Sequence, residues 1–380
     1  MKMMQKTSQL ELLQALLQRP SVNGDERRVT EYLAEFLANH GITSELIELS
    51  PGRAGLVAEI GPQNRPVVAL AAHADTVAVG EADNWQYPPF AATVANKRIY
   101  GRGAVDMKGG LAAMVCAVVA LHEQESSLPV RVRLIVSTDE EVGGLGAAQL
   151  VATGHLKDVV AVVIGEATSG EVQYAHNGSF DYQVTSIGKL AHSSQPQLGV
   201  NAVMNLVQFI NQEPTVFANA PVSEVLGPVI HSVTVFHGGE QLNSIPDQAY
   251  LQGNVRTIPE FDNEQTKAGF ERLITQLNQQ PGVNLSLSVV ADFAPVVTAP
   301  TNPLVQQMQQ AVAAVTGVQP PLAISNGATD ASRYVIGNPA LEVVIYGPGD
   351  EAQSHQVDES LPLDEYYQAI EIYQRFIMRL

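Results

Sequence analysis

The 380-residue sequence has a single cysteine, Cys116, and is poor in positive charge. One cysteine excludes a disulfide framework, and its position in the apolar segment GGLAAMVCAVVALHE predicts a small buried side chain in a reducing compartment. Lysine and arginine number 21 against 39 aspartates and glutamates, for a net charge of −18. Such a chain repels nucleic acid and anionic membranes, so we expect neither as a partner. It favours a divalent cation wherever carboxylates converge.

Long hydrophobic runs are also missing. No apolar run approaches the roughly 18 residues of a membrane span, and the N-terminal MKMMQKTSQLELLQALLQRP carries polar residues among its leucines instead of a signal-peptide core. We therefore expect a cytoplasmic protein. The nucleophile elbow G-x-S-x-G and the phosphate loop G-x-x-x-x-G-K-[ST] are absent as well. GRGAVDMKGG contains a G-x-G-x-x-G frame only up to its sixth position, which is Asp106, and no apolar strand leads into it, which disfavours a nucleotide site.

The pattern of apolar residues predicts two domains, as the chain length also suggests. Short apolar runs that alternate with helical segments are typical of an α/β domain with a mixed, largely parallel sheet flanked by helices. Alternating apolar and polar strands between them predict an inserted α+β domain with an antiparallel sheet. The predicted bounds are 1–178 and 292–380 for the discontinuous α/β domain, and 179–291 for the insertion.

Polar residues follow each buried strand of the α/β domain. His73 and Asp75 follow VVALAA, Glu140 and Glu141 follow VRVRLIVS, and Glu166 follows VVAVVIG. His355 comes after LEVVIYG and a loop, and Asp106 lies in a glycine-rich loop before an apolar helix. Because the ligand crevice of an open α/β sheet lies at the carboxyl ends of its strands, we expect these residues to converge there.

Two histidines and several carboxylates without a thiolate suit Zn²⁺, Co²⁺ or Mn²⁺. Asp75, two residues after His73, is placed to accept the second N–H of that imidazole. Two divalent ions would balance three carboxylates and a bridging hydroxide, whereas one ion would leave excess negative charge. Glu140, next to a ligand, is the candidate general base. Taken singly, each of these acids also fits a solvated loop residue, and spacing alone leaves both interpretations open.

Eight segments, in this order, resemble the dinuclear zinc deacylase and metallopeptidase family that includes acetylornithine deacetylase, succinyl-diaminopimelate desuccinylase, aminoacylases and some carboxypeptidases. The likeness covers nearly the whole chain. The segments that carry it are HADTV, GRGAVDMKGG, STDEEVGG, GEATSG, GKLAHSSQPQLGVNA, LNSIPDQ, GATDASRY and GPGDEAQSHQVDE.

The resemblance implies that His73, Asp106 and Glu166 hold one zinc ion. It also implies that Asp106, Glu141 and His355 hold the other, so that Asp106 bridges the pair. Glu140 matches the family's general base, and Asp75 matches the residue that supports the first histidine.

Outside the metal ligands, the resemblance implies that His192 helps to stabilise the oxyanion, commonly from the partner subunit of a dimer. The inserted domain would then serve as a lid and as the interface of a homodimer. Asn243 and Arg256 match positions that bind the substrate's carboxylate, and Arg333 is a further candidate.

The sequence departs from the family at two places, of which the first bears on specificity and the second only on a loop. The linker into the inserted domain reads YAHNG where relatives often carry a basic residue, and Ala167 replaces a common proline. The first change leaves the preferred acyl group open. Glu166, where aminopeptidase relatives have aspartate, favours deacylase or carboxypeptidase chemistry.

The expected activity is metal-dependent removal of a succinyl or acetyl group from an amino acid of lysine or arginine biosynthesis. A metallo-dipeptidase, a carboxypeptidase or a general aminoacylase is an alternative within the same chemistry. A metal-dependent binding or assembly protein without turnover is an alternative of another class, against which Glu140 speaks, because binding needs no base. The substrate in either enzymatic case is a small N-acylated amino acid or a dipeptide.

Overall fold

A computed structural model describes residues 4–325 and 327–380. The described residues form two compact units, which are considered separately. The first contains residues within Met1–Ala175, Thr298–Ser325 and Thr329–Leu380, and the second contains residues within His176–Val297 and Asn326–Ala328. The bounds predicted for the insertion, 179–291, lie inside the second unit.

Nine α-helices lie within the residues that the structure describes. They are α1 (Lys6–Leu17), α2 (Arg27–Asn39), α3 (Lys108–His122), α4 (Leu145–Ala152), α5 (Ala202–Gln212), α6 (Asn263–Leu277), α7 (Pro303–Thr316), α8 (Ala331–Gly337) and α9 (Leu363–Ile377). A short 3₁₀ turn covers Glu140–Val142.

The strands are β1 (Ser44–Ser50), β2 (Arg53–Ile60), β3 (Val67–His73), β4 (Thr93–Ala95), β5 (Arg98–Tyr100), β6 (Arg131–Ser137), β7 (Val159–Ile164), β8 (Val172–His176), β9 (Ser179–Ile187), β10 (Ala191–His192), β11 (Val222–Ser223), β12 (Gly227–Pro228), β13 (Ile230–Gly238), β14 (Ser244–Ile245), β15 (Gln248–Arg256), β16 (Leu285–Phe293), β17 (Val296–Val297), β18 (Leu322–Ser325), β19 (Glu342–Ile345) and β20 (Ser360–Pro362).

The main sheet of the first unit runs in the order β1-β2-β6-β3-β7-β19-β8. Its central strands β6, β3, β7 and β19 are parallel, whereas β1, β2 and β8 are antiparallel to their neighbours. Every residue of β3 is buried, because helices cover both faces of a parallel sheet. The predicted fold class is thus confirmed, with the parallel part confined to the centre of a mixed sheet.

Strand register brings the carboxyl ends of the central strands to the same level. His73 pairs with Ser137 of β6, while Ala71 pairs with Ile164 of β7. His73 lies two residues after Ala71, and Glu166 lies two residues after Ile164. These two residues therefore emerge side by side at one edge of the sheet.

Helix α3 is buried from Lys108 to Leu121 and contacts α1, α9 and β3. Its small residues permit this close approach. A Cβ on Gly110 would lie 2.0 Å from the carbonyl oxygen of Gly165, which precedes Glu166 in the chain. The helix therefore packs directly against the segment after β7 that contains Gly165 and Glu166.

The second unit is built on an antiparallel sheet in the order β13-β15-β9-β16. Buried and half-buried residues alternate along β9 and β15, as expected for strands with one face in the core. Helices α5 and α6 contact this sheet. The shared core contains Phe180, Tyr182, Phe209 and Phe270. Within residues 4–325 and 327–380, no helix has the length and apolar character that a bilayer crossing requires.

Candidate metal centre

His73, the last residue of β3, turns its two ring nitrogens to different partners. Its Nε2 atom lies 3.1 Å from Oδ1 of Asp106 and 3.4 Å from Oε1 of Glu166. Its Nδ1 atom lies 3.0 Å from the backbone oxygen of Asp75. The side chain is 1% exposed. A buried imidazole fixed at Nδ1 presents Nε2 in a defined direction.

His355 makes the corresponding contacts on the other side of Asp106. Its Nε2 atom lies 3.2 Å from Oδ2 of Asp106 and 3.0 Å from Oε2 of Glu141. Asp106 therefore presents one carboxylate oxygen to each histidine. The ligand atoms of His73, Asp106 and Glu166 lie within 4.8 Å of one another, as do those of Asp106, Glu141 and His355. The predicted ligands thus meet as two groups that share one aspartate.

Asp75 lies between His73 and the turn that carries Glu140 and Glu141. Its Oδ1 atom is 3.5 Å from Nδ1 of His73, farther than its own backbone oxygen. The carboxylate also accepts hydrogen bonds from the backbone N–H groups of Glu140 and Glu141, at 3.2 and 3.1 Å. The 3₁₀ turn leaves these N–H groups without helical partners, and the buried carboxylate satisfies them. Asp75 consequently links His73 to the turn that carries Glu140 and Glu141.

Asp139 shapes the same turn from its N-terminal side. It adopts φ +69°, and its Oδ2 atom accepts a hydrogen bond from the N–H of Leu145 at the start of α4. Arg53 donates to Oδ1 of Asp139 and also pairs with the buried Glu26. Sequence reasoning did not single out this support, since Arg53 and Glu26 lie in unremarkable segments far from the STDEEVGG motif.

The electrostatics of the cluster favour a bound cation. Burial lowers the pKa of His73, but Glu166 and Asp106 outweigh it and raise that pKa well above its ordinary value. Hydrogen bonds to Asp106 and Glu141 raise the pKa of His355 to about 10. Burial, together with the charge of Asp106, raises the pKa of Glu166 to about 7. The acids thus repel one another, and a positive charge among them relieves that repulsion.

Glu140 belongs to neither ligand group, although it directly precedes Glu141 in the chain. Burial raises the pKa of Glu140 well above its ordinary value; His73 opposes this shift, and the charge of Asp330 adds to it. Asp330 was missed by sequence reasoning. It is 4% exposed, accepts a hydrogen bond from Ser137, and burial raises its pKa to about 6. Its position in the GATDASRY segment was the available signal.

Arg333, in the first turn of α8, donates from Nη2 to the backbone oxygen of Gly143 at 2.9 Å. Gly143 directly follows the Glu140–Val142 turn. The predicted substrate residue Arg333 thus lies beside the turn that carries Glu140 and Glu141.

The other predicted substrate residues belong to the second unit. His192 of β10 pairs with Ser244 of β14, and the N–H of Ser193 donates to the backbone oxygen of Asn243 at 2.9 Å. His192 and Asn243 are therefore close neighbours. Arg256 lies at the end of β15, half-buried. It lies close enough to His176 to help burial lower the pKa of that histidine to about 4.

The donor set fits a pair of divalent ions. All ligand atoms are imidazole nitrogens or carboxylate oxygens, the donors that Zn²⁺, Co²⁺ and Mn²⁺ accept. His73 and His355 each face two carboxylates, and Asp106 is shared in the manner of a bridging ligand.

Residues 69–379 match the model of peptidase family M20/M25/M40. A probable succinyl-diaminopimelate desuccinylase of Staphylococcus epidermidis is 34% identical over 98% of both chains. A protein with the same description from Staphylococcus aureus is 33% identical over 96% of this chain and 95% of its own. The fold is similar to that of an M20 family metallo-carboxypeptidase from Sulfolobus solfataricus, with a TM-score of 0.81, 21% identity, and coverage of 97% and 98%.

The family resemblance noted in the sequence is therefore confirmed, and so is the expectation of a metal-dependent hydrolase that acts on amides. The chain belongs to peptidase family M20/M25/M40.

Proposed function

We propose that the protein is a two-metal deacylase that removes an N-succinyl or N-acetyl group from an amino acid, with N-succinyl-diaminopimelate as the first-choice substrate. The observation that carries the chemistry is the position of Asp106, which presents one oxygen to each of two ligand groups beside Glu140. The full-length similarity to probable succinyl-diaminopimelate desuccinylases supports the choice of acyl group.

The residues proposed to hold the ions are His73, Asp106 and Glu166 for one, and Asp106, Glu141 and His355 for the other. Zn²⁺ is the favoured ion, since a nitrogen and oxygen donor set with a shared carboxylate is suited to it, with Co²⁺ or Mn²⁺ as substitutes. When bound by these residues, such ions would supply Lewis-acid chemistry, which polarises an amide carbonyl and makes water more acidic.

Glu140 is proposed as the general base. Its backbone is fixed by Asp75, and its neighbour Glu141 is engaged with His355, which leaves the Glu140 carboxylate as the acid of the turn outside both ligand groups. It would take a proton from the attacking water and deliver it to the departing amine. One side chain can do both, because the two transfers occur in succession.

His192 is proposed to stabilise the negative charge that develops on the carbonyl oxygen. Its Nδ1 atom accepts a hydrogen bond from the backbone N–H of Ser194 at 3.1 Å. A neutral imidazole that accepts at Nδ1 carries its proton on Nε2, so His192 has a donor for an oxyanion.

Asn243 and Arg256 are proposed to bind the substrate's carboxylate, with Arg333 as a further candidate. The planar guanidinium of arginine matches a carboxylate, and cationic groups are scarce in this chain, with 21 lysines and arginines in all.

The proposal includes a homodimer formed through the second unit, with His192 serving the partner's centre. It also places the enzyme in the cytoplasm, in lysine or arginine biosynthesis. The buried free thiol of Cys116 is consistent with a reducing compartment.

The test is hydrolysis of a substrate panel by protein reconstituted with two equivalents of Zn²⁺ or Co²⁺. The panel contains N-succinyl-diaminopimelate, N-acetylornithine, a general N-acetyl amino acid and several dipeptides. We expect the highest kcat/KM for the succinylated substrate. Turnover of dipeptides alone would replace the deacylase assignment with a dipeptidase. Binding of two metal ions without turnover of any compound would support a binding protein instead.

A further inference from the structure

Glu359 is a buried carboxylate near the metal centre that contributes to neither ligand group. Its exposure is 0%, and it directly precedes β20. Its Oε1 atom accepts hydrogen bonds from the backbone N–H groups of Val105 and Asp106, at 2.7 and 3.1 Å. Its Oε2 atom accepts from the N–H of Gly103 at 3.1 Å. One side chain thus holds three N–H groups of the loop that ends in the shared aspartate.

Arg102 is paired with Glu359 and reaches the loop of the second histidine. Its Nη1 atom lies 2.7 Å from Oε2 of Glu359. Arg102 also donates to the backbone oxygens of His355 and Gln356, at 3.3 Å in each case. Since the residue is 2% exposed, these contacts are shielded from water.

His355 needs such support because of its backbone. It adopts φ +65°, a left-handed conformation that is uncommon outside glycine and persists where the surroundings determine it. The hydrogen bond from Arg102 to its carbonyl is one contact that fixes this conformation. Two loops from distant parts of the chain are therefore tied together by one ion pair.

We propose that Arg102 and Glu359 are positioning residues that set the distance and orientation between Asp106 and His355, and so determine how tightly the two metal ions bind. This inference rests on the proposed two-metal function. Glu359 acts on both ions, because Asp106 belongs to both ligand groups. Arg102 acts through its guanidinium chiefly on the ion held by His355. Groups that orient metal ligands typically change metal affinity about 10- to 100-fold when they are altered.

Glu359→Gln is the main test variant, because it keeps the size of the side chain but replaces one oxygen with a donor that faces N–H groups. We expect the affinity for both Zn²⁺ ions to fall by about 10- to 100-fold. The visible absorption spectrum of the Co²⁺-loaded protein should also change. Glu359→Asp, which keeps the charge, should recover part of the affinity.

Arg102→Lys distinguishes the ion pair with Glu359 from the hydrogen bonds that Arg102 donates to backbone carbonyls. Lysine preserves the positive charge beside Glu359 but lacks the planar fork that reaches two backbone carbonyls as well. We expect weaker binding of one ion by about 10-fold or more, with the other affinity nearly unchanged. Because the side chain remains cationic, this variant also serves if Glu359→Gln fails to fold.

Glu59→Gln is the matched control. Glu59 pairs with Arg131 and Arg133 in the first unit, and none of its ion-pair partners belongs to the metal ligands. Titration calorimetry with Zn²⁺, Co²⁺ spectra and thermal unfolding should be recorded for all four variants and the unmodified protein. The control should keep both affinities and the spectrum, even where its melting temperature falls.

Unchanged Zn²⁺ affinities and Co²⁺ spectra in folded Glu359→Gln would overturn the inference, as would equal losses in Glu59→Gln. If Glu359→Gln does not fold, unchanged metal binding in Glu359→Asp and Arg102→Lys overturns it, and weakened binding supports it. Failure of the unmodified protein to bind two ions would instead refute the proposed function.

Discussion

Asp75 shows how much of the centre depends on single side chains. Its backbone oxygen faces Nδ1 of His73, and its carboxylate accepts the N–H groups of Glu140 and Glu141. Burial works to raise the pKa of Asp75, but hydrogen bonding to His73 and to these N–H groups lowers it below the ordinary value. Asp75 thus connects His73 with Glu140 and Glu141, which are the proposed base and two of the proposed metal ligands.

Glu140→Gln tests the assignment of the base at this scale. Glutamine has nearly the same size but cannot take up a proton, so kcat should fall by about 10²- to 10⁴-fold. KM should change little, and both metal equivalents should remain, because Glu140 lies outside both ligand groups. Steady-state kinetics on the best substrate and metal analysis of the same preparation measure these quantities.

Glu45→Gln, on the exposed side of β1, is the control for the loss of one carboxylate. It should retain the activity of the unmodified protein. Activity of Glu140→Gln within a few-fold of that control would remove Glu140 from the mechanism.

At the scale of elements, the local sequence predicts the strands that build the site. It does not predict the contacts between segments that are distant in the chain. The runs before His73 and Glu166 are uniformly apolar, which is diagnostic of strands buried on both faces. The pairing of Arg102 with Glu359 spans more than 250 residues and leaves no local pattern. Strand β1, which lies at one end of the strand order and pairs with β2, was not predicted.

The roles proposed for residues of the second unit rest only on the family resemblance. His192 lies in a short strand of two residues, and no periodicity or spacing distinguishes it from a surface histidine. The proposed metal ligands differ, because each follows a recognisable buried strand or precedes a recognisable helix. A residue at the end of a buried strand can therefore be predicted as a site residue from the sequence, whereas a residue in a short two-residue strand such as β10 cannot.

Gly110→Ala tests how closely α3 supports the centre. An added Cβ would lie 2.0 Å from the carbonyl oxygen of Gly165, and a backbone atom cannot yield as a flexible side chain can. We expect the free energy of unfolding to fall by about 1–3 kcal/mol or more. Zn²⁺ affinity should fall as well, because Glu166 is the next residue after Gly165. Chemical denaturation and calorimetry measure the two effects.

Gly327→Ala is the matched control for the substitution, because a Cβ at that position meets no atom within 4 Å. Its unfolding free energy should stay within about 0.5 kcal/mol of the unmodified protein. Equal stability of the two variants would mean that α3 can move away from the strand end without cost.

At the scale of the whole molecule, net charge and burial of apolar side chains have opposite effects on the stability of the folded state. The net charge of −18 destabilises the compact state through self-repulsion, and three carboxylates, those of Asp106, Glu141 and Glu166, meet at the candidate metal centre. Cations bound there would neutralise part of that charge. The large core must supply the remaining stability, and it includes tyrosines whose hydroxyl groups are buried.

The buried tyrosines predict a sharp loss of stability in alkali. Burial raises the pKa of Tyr182, Tyr366 and Tyr373 above the ordinary value of 10. Their hydroxyl groups donate to Glu213, to the backbone oxygen of Gln9 and to that of Tyr346. Since the folded-state pKa exceeds the unfolded one, their contribution to stability is complete below pH 10 and is lost progressively above it. Growing negative charge adds to the loss.

Absorbance at 295 nm and circular dichroism, recorded together as the pH rises from 8 to about 12.5, measure tyrosine ionisation and folding in one sample. Ionisation of these three tyrosines should coincide with the loss of the circular dichroism signal, because the folded core keeps them protonated. Tyr366→Phe should reduce the step in absorbance that accompanies unfolding by one tyrosine's amplitude. Complete ionisation of all tyrosines while the folded signal persists would show that the core does not hold these hydroxyl groups as described.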